Sequence, residues 1–279
     1  MLWREHWQNT FGAIEGASLE ANKGAYSYAW MIIFAVIAAI MVLIGLYHIR
    51  MLPSNQIPST TKKTTSEVGR ELVAVIANFF TKKHIFYYIC FIILYRLAEG
   101  FIMKIAPLFL RASREVGGLG LSLKEIGTLN GVFGSAAFVL GSLLAGIYVS
   151  KFGLKRTLFT LCCIFNLPFV AYTFLAVTQP TNVYLIGTCI TMEYFGYGFG
   201  FVGLTLFMMQ QIAPGKHQMS HYAFASGIMN LGVMLPGMVS GYFSDLLGYR
   251  NFFIYVLIAT IPAFLITYFI PFTYDDSKK

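Results

Sequence analysis

Charge is what this sequence has least of. Asp, Glu, Lys and Arg together make up 11% of its 279 residues, where a soluble domain carries about 25%, and the mean hydropathy is +0.67. That composition excludes an ordinary water-soluble globule. Between Arg156 and Lys216 a single residue carries a formal charge, Glu193. Cysteine is also sparse: Cys90, Cys162, Cys163 and Cys189 all fall within apolar runs and lack the paired spacing of a metal site. They read as small buried apolar side chains, not as a disulfide framework or zinc ligands. Nor does the net charge of +8 point to nucleic acid, because the basic residues gather in the connections between apolar runs and form no stripe interleaved with aromatics. Residues 1–26 lack a compact apolar core before a small-residue cleavage site, since Arg4, Glu5, Glu15, Glu20 and Lys23 interrupt them. Nothing there reads as a secretory signal.

What the sequence does have is a series of apolar runs of about 20 residues, the length that carries a helix across a bilayer core of about 30 Å. The expected fold is an all-α polytopic membrane protein with seven transmembrane helices, at residues 27–49, 84–110, 125–149, 157–178, 182–212, 219–246 and 250–271. Its lipid partner is therefore the bilayer itself. The one long connection, 50–83, contains Pro53, Pro58 and the stretch "PSTTKKTTS". It then turns amphipathic, with Val68, Leu72, Val75, Ile76, Phe79 and Phe80 at helical spacing against Glu67, Arg70 and Glu71, which suits a helix lying on the membrane surface. If 50–83 is cytoplasmic, twelve of the twenty Lys and Arg residues lie inside and six outside, which favours an outside N-terminus and an inside C-terminus. The expected organisation is an extracytoplasmic segment 1–26, a first span 27–49, a cytoplasmic linker 50–83, a six-helix bundle 84–272 and a cytoplasmic tail 273–279.

The connection after the third span reads "AGIYVSKFGLKRTL". Its Gly146, Lys151, Gly153, Lys155 and Arg156 resemble the G-x-x-x-D-R-x-G-R-[KR] loop of the major facilitator superfamily, with Ser150 where that motif has Asp. A tight glycine turn with cations suits a short cytoplasmic connection whose basic groups reach helix C-termini. Further on, "YRLAEGF", "LSLKEIG", "EYFGYGFGFVGLTLFM" and "HYAFASGIMNLGVMLPGMVSGYFSDLLGYRNFF" resemble the C-terminal half of the muropeptide permease (AmpG-type) family, and less closely the acetyl-coenzyme A transporters. The resemblance runs over 95–272. It implies that the seven spans are helices 6–12 of a twelve-helix secondary transporter whose helices 1–5 lie elsewhere. It further implies proton-coupled import of a cell-wall-derived anhydromuropeptide across a bacterial inner membrane, with substrate held between this bundle and the missing half.

Glu193 is the first candidate for chemistry. An ionisable group at membrane depth costs at least about 3 kcal/mol, so it faces a polar cavity or a cation. It is either a proton-accepting group or a structural acid satisfied by a neighbouring helix. Arg96 and Glu99, three residues apart, share a helix face, and Lys104 lies deeper in the same run, where it suits pairing with Glu193 or an anionic substrate. Pro107 weakens that helix, as at the discontinuous helices of transporter sites. Gly198, Gly200 and Gly203 spell G-x-G-x-x-G, but no strand precedes them, so a dinucleotide turn is excluded. Gly196, Gly200 and Gly203 instead form a small-residue face for close helix packing, and the glycines of the third span do the same. Asn130, Tyr222, Ser226 and Asn230 are candidates for a substrate path. His217 and His221 lack a third ligand, and Asp245 with Arg250 suggests a fixed turn. A retinal-binding seven-span receptor would want a lysine in its last span, and 250–271 has none. An intramembrane enzyme would want a nucleophile–base pair or a metal set, and none stands out. No cofactor is expected. The alternatives left open are a transporter of another organic anion, such as an acyl-coenzyme A, and a seven-span receptor.

Overall fold

In a computed structural model, residues 23–51 and 64–274 are described. The expectations for 1–22, for most of the Ser/Thr-rich stretch near Lys62 and Lys63, and for the tail from 275 onward lie outside the described residues. Lys23–Met51 is one α-helix, α1. It is apolar on every side, as a helix surrounded by lipid or by other helices must be.

The remaining helices form a separate unit beginning at Thr64. The amphipathic stretch is a helix, α2 (Thr65–Phe80). Its first turn is closed by a reciprocal cap, in which the backbone N–H of Thr64 donates to Glu67 Oε2 at 2.8 Å. Phe79 is fully buried and packs edge-on against Phe224 at 4.8 Å between ring centroids. Leu72 and Val73 stay exposed, so only one end of the amphipathic face is taken up by the bundle. Just after α2, Lys82 Nζ donates to the carbonyls of Ile212 and Pro214, the latter at 2.8 Å. Burial pushes that ammonium below its ordinary value, while the two acceptors hold it over a helix end whose carbonyls need donors.

The second predicted span is two helices, α3 (Ile85–Tyr95) and α4 (Leu97–Arg111), joined at Arg96 with φ −103° and ψ 7°. A further capping box, Ser122 with Glu125, opens α5 (Leu123–Thr128). The chain continues through a π-helical turn, Leu129–Gly134, into α6 (Ser135–Phe152). Gly153, at φ 78°, is the whole connection to α7 (Leu154–Asn166), and a side chain there would strain the left-handed backbone. After α8 (Phe169–Thr178), Asn182 Oδ1 accepts from the Tyr184 N–H at 2.9 Å and caps α9 (Val183–Phe207), which ends in a second π turn, Met208–Ile212. Gln218–Ala259 is α10, broken at Gly248 (φ 68°, ψ 160°), and α11 is Ile261–Tyr268.

Among the described residues, five runs are long and apolar enough to cross a membrane: Gly24–Met51, Ile85–Arg111, Leu123–Phe152, Leu154–Thr178 and Gln218–Tyr268. The last has 51 residues, roughly 75 Å at 1.5 Å per residue, more than twice the thickness of a bilayer core. The backbone break at Gly248 divides it close to the predicted boundary between the sixth and seventh spans. Val183–Phe207 has 25 residues and also exceeds a bilayer core in length. It falls outside the five because Glu193, its tyrosines and its glycines dilute the apolar residues.

Two buried clusters hold the unit together. One gathers Tyr88, Phe91, Tyr95, Leu161, Phe165 and Phe207, and the other Phe101, Phe109, Tyr172, Phe252 and Phe253. The seam between α9 and α7 depends on absent side chains. A Cβ at Gly200 would lie 2.8 Å from the Leu161 carbonyl and against Phe165 Cβ, one at Gly203 would lie 2.8 Å from Leu161 Cδ1, and one at Gly196 would meet the Ile164 carbonyl. On another face of α9, Gly198 sits against Phe138 of α6 and Gly141 of α6 against Phe195. Outside, large apolar side chains such as Leu143, Ile147 and Leu246 are exposed. An apolar exterior is what the hydrocarbon core of a bilayer requires.

Candidate functional site, a polar cavity beside Glu193

The break at Arg96 turns a charged pair inward. Arg96 and Glu99 are only 4% and 5% exposed, so their charges must be settled inside the protein. Arg96 Nε donates to Glu99 Oε2 at 2.6 Å, and its Nη2 donates to Oε1. This bidentate fork occupies both carboxylate oxygens. The guanidinium also lies 5.3 Å from the centre of the Phe201 ring and 3.5 Å from the Tyr197 hydroxyl, so it bridges to α9. Immediately before Arg96, the Tyr95 hydroxyl donates to the Gly200 carbonyl at 2.9 Å.

Beside this pair lies a cavity of about 150 Å³, lined by Glu99, Ile102, Met103, Ala106, Pro107 and Leu110 of α4, Asn130, Tyr172, and Glu193, Tyr194 and Tyr197 of α9. Such a space holds several water molecules, each taking about 30 Å³. Glu193 is half-buried. Among the described residues no hydrogen bond or ion pair reaches its carboxylate, and the neighbouring Arg96 is paired with Glu99. Asn130 Oδ1 is buried with no partner. Pro107 has no N–H to give the carbonyl of Met103 one turn earlier. The π turn at Leu129–Gly134 sets the approach of Asn130, and within it a Cβ on Gly134 would come 3.0 Å from the Tyr194 ring. The cavity is thus rich in acceptors, and its one nearby cation is already committed to Glu99.

The other sequence candidates fall in several places. Lys104 is exposed, and its stem runs along Gly237 of α10, where an added Cβ would lie 3.4 Å from Lys104 Cγ. The expected pairing of Glu193 with Lys104 is therefore corrected: Lys104 is exposed, and Arg96, the other cation of that run, is engaged by Glu99. Tyr222, Ser226 and Asn230 do not line the cavity. Tyr222 and Ser226 are half-buried and Asn230 is exposed, all on the first half of α10. On either side of the α6–α7 connection, Lys151, Lys155 and Arg156 are exposed, and a Cβ at Gly146 would meet nothing within 4 Å. Asp245 and Arg250 are not within ion-pair distance, so no such pair fixes that turn. The His217 and His221 rings are 5.9 Å apart. Among the described residues no three His, Cys, Asp or Glu side chains are placed to hold a metal.

Two features escaped the sequence reading. Tyr172, Tyr194 and Tyr197 line the Glu193 cavity, and only the tyrosines flanking Glu193 carried a local signal. A larger groove of about 1050 Å³ runs between α5–α6 and α9, along Leu129, Phe133, Ala137 and Leu140 on one side and Gly187, Thr191 and Phe195 on the other. The first set recurs at four- and three-residue spacing and the second at four, which marks a helix face but not what covers it.

Comparison with known proteins follows the same lines as the geometry. A family model described as Major Facilitator Superfamily matches residues 10–214. Among curated proteins the chain is 23% identical over 209 residues to an anhydromuropeptide permease of Escherichia coli (strain K12), covering 75% of this chain and 41% of that protein. It is 25% identical over 238 residues to a protein named putative transporter AmpG 1 of Rickettsia bellii, covering 84% of this chain and 56% of the relative. It is 27% identical over 204 residues to putative transporter AmpG 2 of Rickettsia prowazekii, covering 71% and 47%. The chain spans about half the length of the curated relatives it matches.

Proposed function

The chain belongs to the Major Facilitator Superfamily, and on that premise we propose that it is the C-terminal portion, helices 6–12, of a proton-coupled secondary transporter. It works with five further helices. Its N-terminus lies outside and its C-terminus in the cytoplasm of a bacterial inner membrane, and its cargo is an anhydromuropeptide. Substrate moves by alternating access between this bundle and the other half, and a proton moves with it through Glu193. The cargo assignment draws on the printed names of the relatives. The coupling assignment draws on one observation: Glu193 is a carboxylate inside a helical membrane bundle that faces a cavity large enough for water and has no cation of its own.

The chemistry follows from that isolation. A carboxylate with no fixed counter-ion at membrane depth is settled most cheaply by taking up a proton, since the charged form costs at least about 3 kcal/mol there. A group that must be neutral when shielded and can ionise when wet is suited to gaining a proton on one side of the membrane and losing it on the other. Arg96–Glu99 is net neutral and holds α4 against α9, which keeps the cavity wall in place. The test is uptake of labelled anhydromuropeptide by the transport-competent protein containing this chain, reconstituted in vesicles with an imposed pH gradient. Acidification of the side from which substrate enters is expected to accelerate uptake, and Glu193→Gln to abolish that acceleration. Unchanged pH dependence in Glu193→Gln would remove this residue from coupling, and uptake competed by an acyl-coenzyme A but not by muropeptide would reassign the cargo.

A further inference from the structure

The cavity contains two orphans of opposite need. Glu193, when protonated, has an O–H to donate, and no acceptor is bound to it. Asn130 Oδ1 is a buried acceptor with no donor, and a buried hydrogen-bonding group left unmet is destabilising. Both line the same space of about 150 Å³. We propose that Asn130 is the positioning residue for the protonated form of Glu193: the carboxylic acid O–H donates to Asn130 Oδ1, and the two orphans satisfy each other.

The residue type suits both halves of a proton cycle. A carboxamide has an acceptor at one end and two donors at the other. When Glu193 gives up its proton to water in the cavity, a half-turn of the Asn130 amide brings an N–H to the carboxylate in place of the carbonyl. An aspartate or an aliphatic side chain could serve only one state or neither. The π turn that carries Asn130 belongs to the same logic, because π turns recur where a helix must aim a side chain at a site. The other groups around Glu193 are less suited to this part. Glu99 has both oxygens engaged by Arg96, the Arg96 guanidinium offers only donors, and Tyr172, Tyr194 and Tyr197 offer hydroxyls that donate more readily than they accept. The inference rests on the reading of Glu193 as a proton carrier, but its test does not depend on identifying the cargo.

The test is infrared difference spectroscopy of the transport-competent protein in lipid vesicles, following the carbonyl stretch of a protonated carboxylic acid as pH is stepped, with potassium as the cation. The expected result is a band present in the wild type, lost in Glu193→Gln, and shifted to higher wavenumber in Asn130→Leu, since a carbonyl stretch rises when its acid loses a hydrogen bond. Asn130→Ser, which retains a smaller polar group, is expected to give a smaller shift and guards against an Asn130→Leu protein that fails to fold. A band that persists in Glu193→Gln, or one that keeps its position in both Asn130 variants, would overturn the proposal. So would a band that vanishes at fixed pH when potassium is replaced by sodium, because the cavity would then hold a metal cation against a carboxylate. If the band behaves as expected while muropeptide uptake is absent, the cargo assignment fails and the proton site stands.

Discussion

Two glutamates flank one small cavity and have opposite arrangements. Glu99 receives two hydrogen bonds from a guanidinium three residues away on its own helix run, and its charge is cancelled before any other helix is reached. Glu193 stands on α9, with no Lys or Arg in the sequence between Arg156 and Lys216, and it lines a cavity shared with Asn130, whose buried carbonyl oxygen has no partner, and with three tyrosines. The contrast underlies the proposed division between a structural acid, Glu99, and an exchangeable one, Glu193. An acid with a dedicated partner is held in one state, while an acid without one depends on what enters the space beside it.

The comparison is broken most severely by removing the cation. Arg96→Met leaves Glu99 buried without its partner and is expected to destabilise the bundle by about 3–5 kcal/mol, seen as a fall in thermal unfolding temperature in detergent. The double variant Arg96→Met/Glu99→Met removes both charges and should recover most of that loss, because replacing a buried pair by apolar side chains is often near neutral. If the double variant is as unstable as the single one, Glu99 has a role beyond charge pairing and the division drawn here fails.

A smaller effect sharpens the contrast between the site and its scaffold. Gly200→Ala puts a methyl group against Phe165 Cβ and the Leu161 carbonyl, neither of which is a flexible side-chain end. Overpacking of this kind costs typically about 1–3 kcal/mol. Gly146→Ala meets nothing within 4 Å and is expected to stay within about 0.5 kcal/mol of wild type, although both glycines lie in apolar helices. Equal effects at the two positions would mean that the α7–α9 seam is looser than its geometry implies.

Much of this was legible from residue types and spacing, and the limits have physical reasons. Apolar runs locate membrane helices because a bilayer demands length and low charge, and those demands act on composition alone. The Arg96–Glu99 pair could be read from three-residue spacing because both partners lie on one helix face. The face carrying Gly196, Gly200 and Gly203 could be read in the same way. The groups that share the cavity with Glu193 could not, because that requires knowing how α4 and α6 are rotated about their own axes. Lys104 illustrates this: by sequence it is the deeper cation, yet α4 turns it outward along Gly237. The helix break at Arg96 and the π turn at Leu129–Gly134 also left no mark, since neither contains a proline that would announce a change of hydrogen-bonding pattern. Asn130 could be singled out as polar at membrane depth, but its place in the Glu193 cavity depends on that turn.

The claim that Glu193 exchanges a proton while Glu99 does not is tested most directly by substrate-driven proton movement. Vesicles containing the transport-competent protein and a pH-sensitive dye are given muropeptide with no imposed gradient. The account predicts alkalinisation of the side from which substrate is taken up in the wild type and none in Glu193→Gln, even where that variant still exchanges labelled for unlabelled substrate. Proton movement of wild-type size in Glu193→Gln would contradict it.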